Sequence, residues 1–580
     1  FSLLLRVLTT INFWMVLKSL WPERRYGNRV ASAFFLAYPF FTLQPLSVAY
    51  APHFMAYFLY SLSILFMIRA LERPEKYLHF SIPAILGMFT HLFTVEYFVG
   101  LELLRPLVVG FFVSGRENLS RRETLRKVLI TWLPYLLTLV FFVIWRSSFS
   151  MSTGVRNNPL RVLFDSGQIV SVVRNMFADF VLMFVNSWFK LIEPELFVIG
   201  PIRNFYLFGI IIIGAFCFYF LTKAISHEED ESRHLKGVLL AGALIVAAGM
   251  LSTYVAGFIV HLKNPLWNSR FSLPTLLGLA MMSSGLIEAV ITSKNIRHIF
   301  LAILVGLLIG WHNQNTLNFK NAWEKQSRFY QQLMWRAPSI EPNTALVANE
   351  EILGYMGDRA TIFGITTMYE TKQINGAPYW FFALSQNFHF SASPVTSGGP
   401  LDAQKVNVTF HGDGKNAIFI TYQQQCLWVL RPEDSEYKHL PSEMKKGALV
   451  SNYENILPEE KERSLYKQIV KENKDTWCYF YQKADLARQT GDWETVLTLW
   501  NEAKDKGYSP DIGFEYIPFI EAYAYMDNWE DAFLLTRNAN KTTEAMYFVL
   551  CPAWRRLSQA TGPSAQKELF VDKAYNLLNC

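Results

Sequence analysis

The stretch Arg29–Arg69, RVASAFFLAYPFFTLQPLSVAYAPHFMAYFLYSLSILFMIR, decides the fold class. It consists of two apolar runs separated by a polar, proline-marked turn at Gln44–His53. Each run is close to the roughly 20 residues that a helix needs to cross the ~30 Å hydrocarbon core of a bilayer. The sequence therefore predicts a membrane hairpin, with a buried helical hairpin of a soluble protein as the alternative.

Basic residues outside this hairpin predict its orientation. They flank both outer ends, at Arg24, Arg25, Arg29, Arg69, Arg73 and Lys76, and they recur densely in the loop Gly115–Lys127. Cytoplasmic loops of membrane proteins carry an excess of lysine and arginine. We therefore expect the basic loops to lie in the cytoplasm and the Gln44–His53 turn to lie outside it.

The apolar character of the chain is concentrated in residues 1–315, although the whole 580-residue sequence is 51% hydrophobic and only 18% charged. This distribution predicts a polytopic α-helical membrane domain with about 9–11 spans. Further spans are expected at 79–93, 95–113, 128–146, 203–222, 237–260, 271–292 and 299–311.

Segment 170–200 leaves the later topology open, because Arg174, Asn175, Asp179 and Asn186 interrupt its apolar run. This pattern favours a helix in the outer interface, or one packed against the bundle, over a free span. If the segment does not cross, everything after Trp311 lies outside; if it crosses, the soluble part is cytoplasmic.

Residues 316–455 are predicted to form a small soluble α/β domain. A polar helix is expected at 318–335, and strands are expected at Thr344–Asn349, Ala360–Ile365, Val406–His411, Ala417–Tyr422 and Cys426–Leu430. No glycine-rich phosphate cradle and no nucleophile turn occurs in this region.

Residues 456–580 are predicted to form helical repeats similar to tetratricopeptide repeats. Gly491-Asp-Trp493 is matched by Asp527-Asn-Trp529, an offset of 36 residues (529 minus 493), which is close to the 34 of such repeats. An ordinary helical bundle is the alternative. A repeat array would give the chain a surface for a protein partner.

Charge and cysteine usage narrow the function classes. The net charge of +6 is spread without a basic block, so the sequence offers no footprint for nucleic acid. Four of the five cysteines lie in the soluble part, at Cys426, Cys478, Cys551 and Cys580, without metal-ligand spacing. They permit disulfides but do not require them.

Ionisable residues within the apolar runs are the candidate functional groups, because such groups are costly at membrane depth. Glu102 and Arg105 are three residues apart on a predicted helix, so they form either an internal ion pair or part of a polar cavity. Glu96 is the best candidate for an external carboxylate.

The run YPFFTLQPLSVAYAPHFMAYFLYSLSILFMIRALERP, together with NSRFSLP at Asn268–Pro274, resembles membrane-embedded glycosyltransferases of the GT-C class, in particular the protein-mannosyltransferase and aminoarabinose-transferase branches. The resemblance covers about 1–315. It implies transfer of a sugar from a polyprenyl-phosphate donor to an acceptor on the outer face, with an acidic residue of the first external loop as base or metal partner.

The chain begins with Phe1 inside an apolar segment, which predicts that this first loop and the main catalytic acid precede the sequence. Glu96 is then the surviving catalytic candidate. The cofactor stays open, with a divalent cation as the candidate that the resemblance implies.

A lipid-phosphate donor needs cations and hydrogen-bond donors at the outer membrane edge. The candidate substrate-binding residues at predicted outer ends are Arg270, Lys263, His53, His91, Tyr50 and Tyr57. Each has a structural alternative, such as a snorkelling arginine or an aromatic-belt tyrosine.

Two other functions remain open. One is an enzyme similar to O-antigen ligases or polymerases. The other is a noncatalytic membrane scaffold whose repeats bind a partner. The predicted localisation is the cell membrane, with several spans in contact with membrane lipids. The soluble C-terminal region is predicted to be extracytoplasmic, on the interpretation that segment 170–200 does not cross.

Overall fold

The computed structural model divides the chain into two compact units, Phe1–Asn318 and Phe319–Cys580. It describes residues 1–116, 120–152, 166–193, 201–223, 234–255, 265–369, 376–385, 392–405, 408–423, 426–459 and 472–580. Each unit is treated below by itself.

Unit 1 is built from helices. These are α1 Ser2–Leu20, α2 Arg25–Ala37, α3 Ala51–Glu72, α4 Tyr77–Thr94, α5 Val99–Glu102, α6 Arg105–Arg116, α7 Arg121–Ser152, α8 Ser166–Val181, α9 Ser187–Phe189, α10 Pro201–Lys223, α11 Leu235–Val255, α12 Pro265–Asn268, α13 Leu276–Val290 and α14 Lys294–Arg336. A π-helical turn at Leu182–Asn186 joins α8 to α9, and a 3-10 segment at Ser269–Thr275 joins α12 to α13.

Nine helical segments within the described residues are long and apolar enough to cross a membrane, which is compatible with a multi-pass membrane protein. Large apolar side chains on these segments are exposed; on α10, for example, Ile212, Ile213 and Phe216 are each more than 60% exposed. Water-soluble monomers rarely expose contiguous apolar surface of this kind.

The predicted hairpin is correct in its second arm and wrong in its first. α3 has 22 residues, but α2 has only 13 and is therefore about 20 Å long at 1.5 Å per residue. Tyr38 ends α2 in an extended conformation, and the non-helical connection runs from 38 to 50 rather than from 44 to 53. The first arm is thus shorter than a full span.

The connection 38–50 marks one end of unit 1, which we call the turn end. Ser2 donates a hydrogen bond to the carbonyl of Ser47 at 2.6 Å, and Asn315 donates one to the carbonyl of Thr42 at 2.7 Å. The opposite end, the basic end, holds Arg24 in an ion pair with Glu288 at 2.5 Å.

α14 runs from the basic end to the turn end. Near its start, His298 contacts Tyr26 at 2.9 Å, and near residue 315 it contacts the connection 38–50. The expected break between a span at 299–311 and a polar helix at 318–335 is wrong, because one helix of 43 residues covers both. Neither a proline nor a glycine lies between 311 and 336 to end the helix.

Segment 169–192 satisfies the length and hydropathy of a span, and its later part packs against α2 and the connection 38–50. Tyr38 donates a hydrogen bond to the carbonyl of Met183 at 3.0 Å, the rings of Trp188 and Tyr38 are 5.5 Å apart, and Lys190 lies 5.7 Å from the ring of Phe40. Residues 183–190 therefore pack against the end of α2 and the start of the connection 38–50, which agrees with the alternative of a helix packed against the bundle, whereas an interfacial position stays a prediction.

Two glycines allow a close helix crossing in unit 1. A Cβ added at Gly278 on α13 would lie 2.5 Å from the carbonyl oxygen of Gly242 on α11, and one added at Gly242 would lie 2.9 Å from that of Gly278. Small residues at helix interfaces permit such backbone approach in membrane proteins. The crossing holds α13, and with it Ser269–Thr275, against the bundle.

Unit 2 begins with a small mixed sheet. Its strands are β1 Ser339–Ile340, β2 Thr344–Ala348, β3 Tyr379–Ala383, β4 Pro400–Lys405, β5 Val408–Asp413, β6 Ile418–Gln423, β7 Cys426–Val429 and β8 Ile456–Leu457. The central order is β3-β2-β6-β7, with β2 parallel to β3 and β6, and β6 antiparallel to β7.

One strand prediction in this region is wrong, and four strands were not predicted. Ala360–Ile365, predicted as a strand, lies in the helix α15 (Gly357–Met368). The strands β1, β3, β4 and β8 were not predicted. Parallel strands such as β2 and β3 require a crossover connection, usually a helix, and α15 supplies it. Helices α16 (Ala392–Ser397) and α17 (Ser442–Val450) complete this region.

The remainder of unit 2 consists of successive helices. They are α18 Trp477–Thr490, α19 Trp493–Asp505, α20 Ile517–Tyr525, α21 Trp529–Thr542, α22 Tyr547–Ala560 and α23 Ala565–Leu578. α19 and α21 start with equivalent caps, because Asp492 accepts from the amide of Thr495 and Asn528 accepts from that of Asp531. The repeated sequence motif therefore marks equivalent helix starts.

Buried ion pairs connect the sheet region of unit 2 to its helices. Asp485 on α18 accepts from Arg336 at 2.6 Å and from Arg431 and Arg488 at 3.2 Å each. Arg488 also pairs with Glu521 on α20 at 2.5 Å. Burial alone would raise the pKa of Asp485, but the three arginines hold that pKa well below its usual range.

Replacing Asp485 with Asn should lower the free energy of unfolding by about 3–5 kcal/mol, because it leaves buried guanidinium groups without their counter-charge. Thermal unfolding of the full chain, followed by near-UV circular dichroism, measures the change. Asp475→Asn is the matched control, since Asp475 forms an exposed pair with Lys506. Equal melting of the two variants would contradict a structural role for the network.

Unit 2 should also lose stability as the pH rises from 6 to 8. Burial raises the pKa values of both Asp434 and Glu515 to about 7, so the folded state retains protons that the unfolded state releases above pH ~4. Each group then contributes stability that is lost as the pH rises from ~4 through ~7, and about 1 kcal/mol of this loss falls between pH 6 and 8.

The fluorescence of Trp477, whose indole donates to Glu515 at 2.7 Å, reports the transition. The double variant Asp434→Asn, Glu515→Gln keeps neutral acceptors at both positions and should flatten the profile between pH 6 and 8. A slope unchanged by the two substitutions would assign it to other groups.

Candidate functional site

A cationic cluster with aromatic walls lies at the turn end of unit 1. The ring of His53 is 5.0 Å from that of Tyr50 and 5.2 Å from that of Tyr97. The guanidinium of Arg270 lies 4.6 Å from the ring of Phe271, which in turn is 5.1 Å from Tyr97. Three of the residues predicted from the sequence, Tyr50, His53 and Arg270, are therefore brought together.

Two segments position the cluster. Tyr50 and His53 stand at the start of α3, directly after the connection 38–50. Arg270 lies in the 3-10 segment Ser269–Thr275, whose first residue shares a hydrogen bond of 3.1 Å with Thr42. The connection thus ties the cation to the tyrosine and the histidine.

Arg270 dominates the electrostatics of the cluster. Its guanidinium donates to the carbonyl of Trp267 at 3.1 Å and lies near the hydroxyl of Tyr50. Burial raises the pKa of Tyr50, and the arginine opposes this shift. The Nδ1 atom of His53 is buried without a hydrogen-bond partner. The arrangement offers a half-buried cation, a hydroxyl and an imidazole to one anionic group.

The other predicted residues make their contacts outside the cluster around Arg270 or lie outside the described residues. Tyr57 packs one turn deeper, with its ring 5.4 Å from Phe13 and 4.7 Å from Phe98. The carboxylate of Glu96 pairs with Arg146 at 2.5 Å, and both side chains are about 40% exposed. Lys263 lies outside the described residues.

Glu102, Arg105 and His91 form a fully buried cluster inside the bundle. Glu102 accepts from Arg105 and from the Nε2 atom of His91, the latter at 2.8 Å. Arg105 also donates to Ser63 at 2.9 Å and lies 4.6 Å from the ring of Tyr135. Each charge therefore has a counter-charge, so the contacts are those of an internal ion pair, and His91 belongs to it rather than to the turn end.

Sequence reasoning missed Tyr97 and Phe271, which supply two walls of the cluster. Both directly neighbour predicted residues, Glu96 and Arg270, and the adjacent position was the only signal that could have found them. It also missed Arg6, whose guanidinium lies at the turn end near Gln44. Within the described residues, no group of three or more His, Cys, Asp or Glu side chains is arranged to hold a metal ion.

A scan of this sequence against protein-family models finds no match, and a search of curated proteins finds no significantly similar sequence.

Proposed function

We propose that unit 1 is a membrane glycosyltransferase of the GT-C type, which takes a sugar from a polyprenyl-phosphate donor bound at the turn end. The observation that carries the proposal is the placement of Arg270 among Tyr50, His53, Tyr97 and Phe271. A cation with aromatic walls at one end of an apolar bundle suits a ligand with an anionic head, a sugar and a hydrocarbon chain.

Each part of such a donor has a physical counterpart in unit 1. The phosphate would accept hydrogen bonds from Arg270 and Tyr50, because charge-assisted bonds to guanidinium are strong and directional. Sugar rings pack readily against aromatic faces such as that of Tyr97. The exposed apolar sides of the helices would contact the prenyl chain.

In the proposed transfer, the bond between the anomeric carbon and the phosphate oxygen breaks, and its electron pair leaves with the phosphate. Arg270 stabilises the charge that develops there, which is the largest contribution expected from fixed groups at such a site. The acceptor oxygen or nitrogen bonds to the anomeric carbon, and its proton passes to a base. Glu96 is the proposed base, since its exposed pair with Arg146 costs about 1 kcal/mol or less to open.

We further propose that the turn end faces out of the cytoplasm. The basic end, which holds Arg24, agrees with the excess of positive charge on cytoplasmic loops. In unit 2, Cys426 bonds to Cys478 and Cys551 bonds to Cys580. Disulfides persist in oxidising compartments and are rare in the cytosol. Unit 1 ends at Asn318, shortly after Asn315, whose side chain contacts the turn end. The disulfide-bonded cysteines follow later in the sequence.

The helices of unit 2 are proposed to form an array similar to tetratricopeptide repeats that binds a protein partner. Support comes from the 36-residue spacing of Trp493 and Trp529, each at the first position of a capped helix. The small residues Ala503 and Ala532 on these helices are fully buried, which allows neighbouring helices to approach closely.

Arg270→Ala should reduce sugar transfer about 100-fold or more, and Arg270→Lys should reduce it less, because a lysine keeps the charge but not the two-pronged geometry. The measurement is transfer from a polyprenyl-phosphate sugar by the full-length protein in membranes. Lys18→Ala, which removes an exposed cation at the basic end, is the control. Unchanged turnover in the Arg270→Ala variant would show that Arg270 serves only as an interfacial anchor.

Single cysteines test the proposed orientation. In a background that carries Cys217→Ser, Lys506→Cys should react with a membrane-impermeant maleimide in intact cells. Lys76→Cys, in the basic loop after α3, should react only after permeabilisation. Both positions are exposed in their units. The opposite labelling pattern would place unit 2 in the cytoplasm.

A further inference from the structure

Arg6 is a buried cation at the turn end without a counter-charge. Its side chain is only 4% exposed, its Nη1 atom donates to the side-chain oxygen of Gln44 at 3.0 Å, and its guanidinium carbon lies 5.7 Å from the ring of Phe41. The Nη2 atom is buried without a partner. In the part of the chain that the structure describes, no carboxylate lies within ion-pair distance of Arg6.

Two other buried arginines of unit 1 are neutralised. Arg105 pairs with Glu102, and Arg24 pairs with Glu288 at 2.5 Å. Taking a charge out of water is expensive unless an opposite charge and further hydrogen bonds compensate it. Arg6 therefore lacks the one kind of group that its environment requires, an anion.

The surroundings of Arg6 suit a polar ligand. Polar groups near Arg6 are the neutral amide of Gln44, the hydroxyl of Tyr57 and the ring of His312, which donates to the carbonyl of Ala37 at 3.1 Å. On the same turn of α14, Nδ2 of Asn313 and Oε1 of Gln314 are buried without partners. Unpaired buried donors and acceptors are rare in folded proteins unless a ligand or water satisfies them.

Arg6 and Arg270 occupy separate positions at the turn end, and the rings of Phe41 and Tyr50 lie between them. Phe41, which packs under Arg6, lies 6.3 Å from Tyr50, and Tyr50 in turn lies beside Arg270. We infer that Arg6 forms a second anion-binding site, which takes a further anionic group of the ligand whose phosphate binds at Arg270. That group is either the carboxylate of an acidic sugar or a second phosphate of the carrier. The pairing with Arg270 rests on the proposed function, whereas the anion site at Arg6 does not.

The first experiment asks whether Arg6 serves the fold or a ligand. Arg6→Gln and Arg6→Lys are compared with Lys18→Gln, which removes an exposed cation from the same helix. Without added ligand, the Arg6→Gln protein should melt at the same temperature as the parent or higher, since it loses an uncompensated buried charge. A fall of several degrees in melting temperature, with anion binding intact, would overturn the inference.

The second experiment measures anion binding to the full chain in detergent. Sodium glucuronate and inorganic phosphate should raise the melting temperature of the parent and of Lys18→Gln more than that of Arg6→Gln. This arm needs no lipid, so it tests Arg6 even if the proposed function fails. Equal shifts in the parent and in Arg6→Gln with both anions would overturn the site.

The third experiment uses farnesyl phosphate, farnesyl diphosphate and a farnesyl-phosphate-linked glucuronate. Arg6→Gln should bind farnesyl phosphate, which has one anionic group, like the parent. It should bind at least one of the two probes that carry two anionic groups about 10-fold more weakly, with partial rescue by Arg6→Lys. Weaker binding of the diphosphate alone would assign the Arg6 site to a second phosphate of the carrier. Weaker binding of the glucuronate alone would assign it to the carboxylate of the sugar.

The failures of the two proposals are distinct. If the parent binds no farnesyl phosphate, the proposed function fails while protection by the soluble anions still supports the site at Arg6. If Arg6→Gln weakens the binding of farnesyl phosphate as strongly as that of the probes with two anionic groups, Arg6 belongs to the first phosphate site and the second site does not exist.

Discussion

Unit 1 depends on how one stretch of non-helical backbone, residues 38–50, is satisfied at the end of an apolar bundle. Backbone groups without partners are costly where water is scarce, so irregular backbone persists only where protein groups bond it. Side chains from α1 and α14 do this, from Ser2 to the carbonyl of Ser47, from His312 to that of Ala37 and from Asn315 to that of Thr42. The same contacts set the positions of the candidate ligand-binding groups.

Because the connection is held in this way, it can carry polar side chains that a regular hairpin would not. Gln44 lies against Arg6, Thr42 lies against Ser269, and Tyr50 lies against Arg270. A short α2 followed by a long connection therefore brings α1, α3, α14 and the 3-10 segment before α13 to one region. The 13-residue length of α2 is the feature that makes room for it.

The sequence predicted what depends on composition and local pattern. Long apolar helices, the basic end, the region of strands and the repeated helix starts at Trp493 and Trp529 follow from hydropathy, charge and capping residues. It failed where long-range contacts decide. Ala360–Ile365 has the apolar, β-branched composition of a strand but forms the crossover helix between two parallel strands. Three site residues, Tyr50, His53 and Arg270, could be predicted because each lies at the end of an apolar run. The pairing of His91 with Glu102, and the isolation of Arg6, depend on neighbours that are distant in sequence.

Buried charged side chains have ion-pair partners in some parts of the described chain and lack them at the turn end. In unit 2, Asp485 and Glu521 neutralise the arginines that they contact, and in the interior of unit 1, Glu102 does the same for Arg105. Charges that are paired in this way do not require a ligand to compensate them. At the turn end the balance differs, since neither Arg6 nor Arg270 has an ion-pair partner among the described residues, and Lys190 there lies against the ring of Phe40. The interior thus completes its ion pairs, whereas Arg6 and Arg270 at the turn end have no carboxylate partner among the described residues. An anionic ligand, as proposed above, would supply the missing counter-charge.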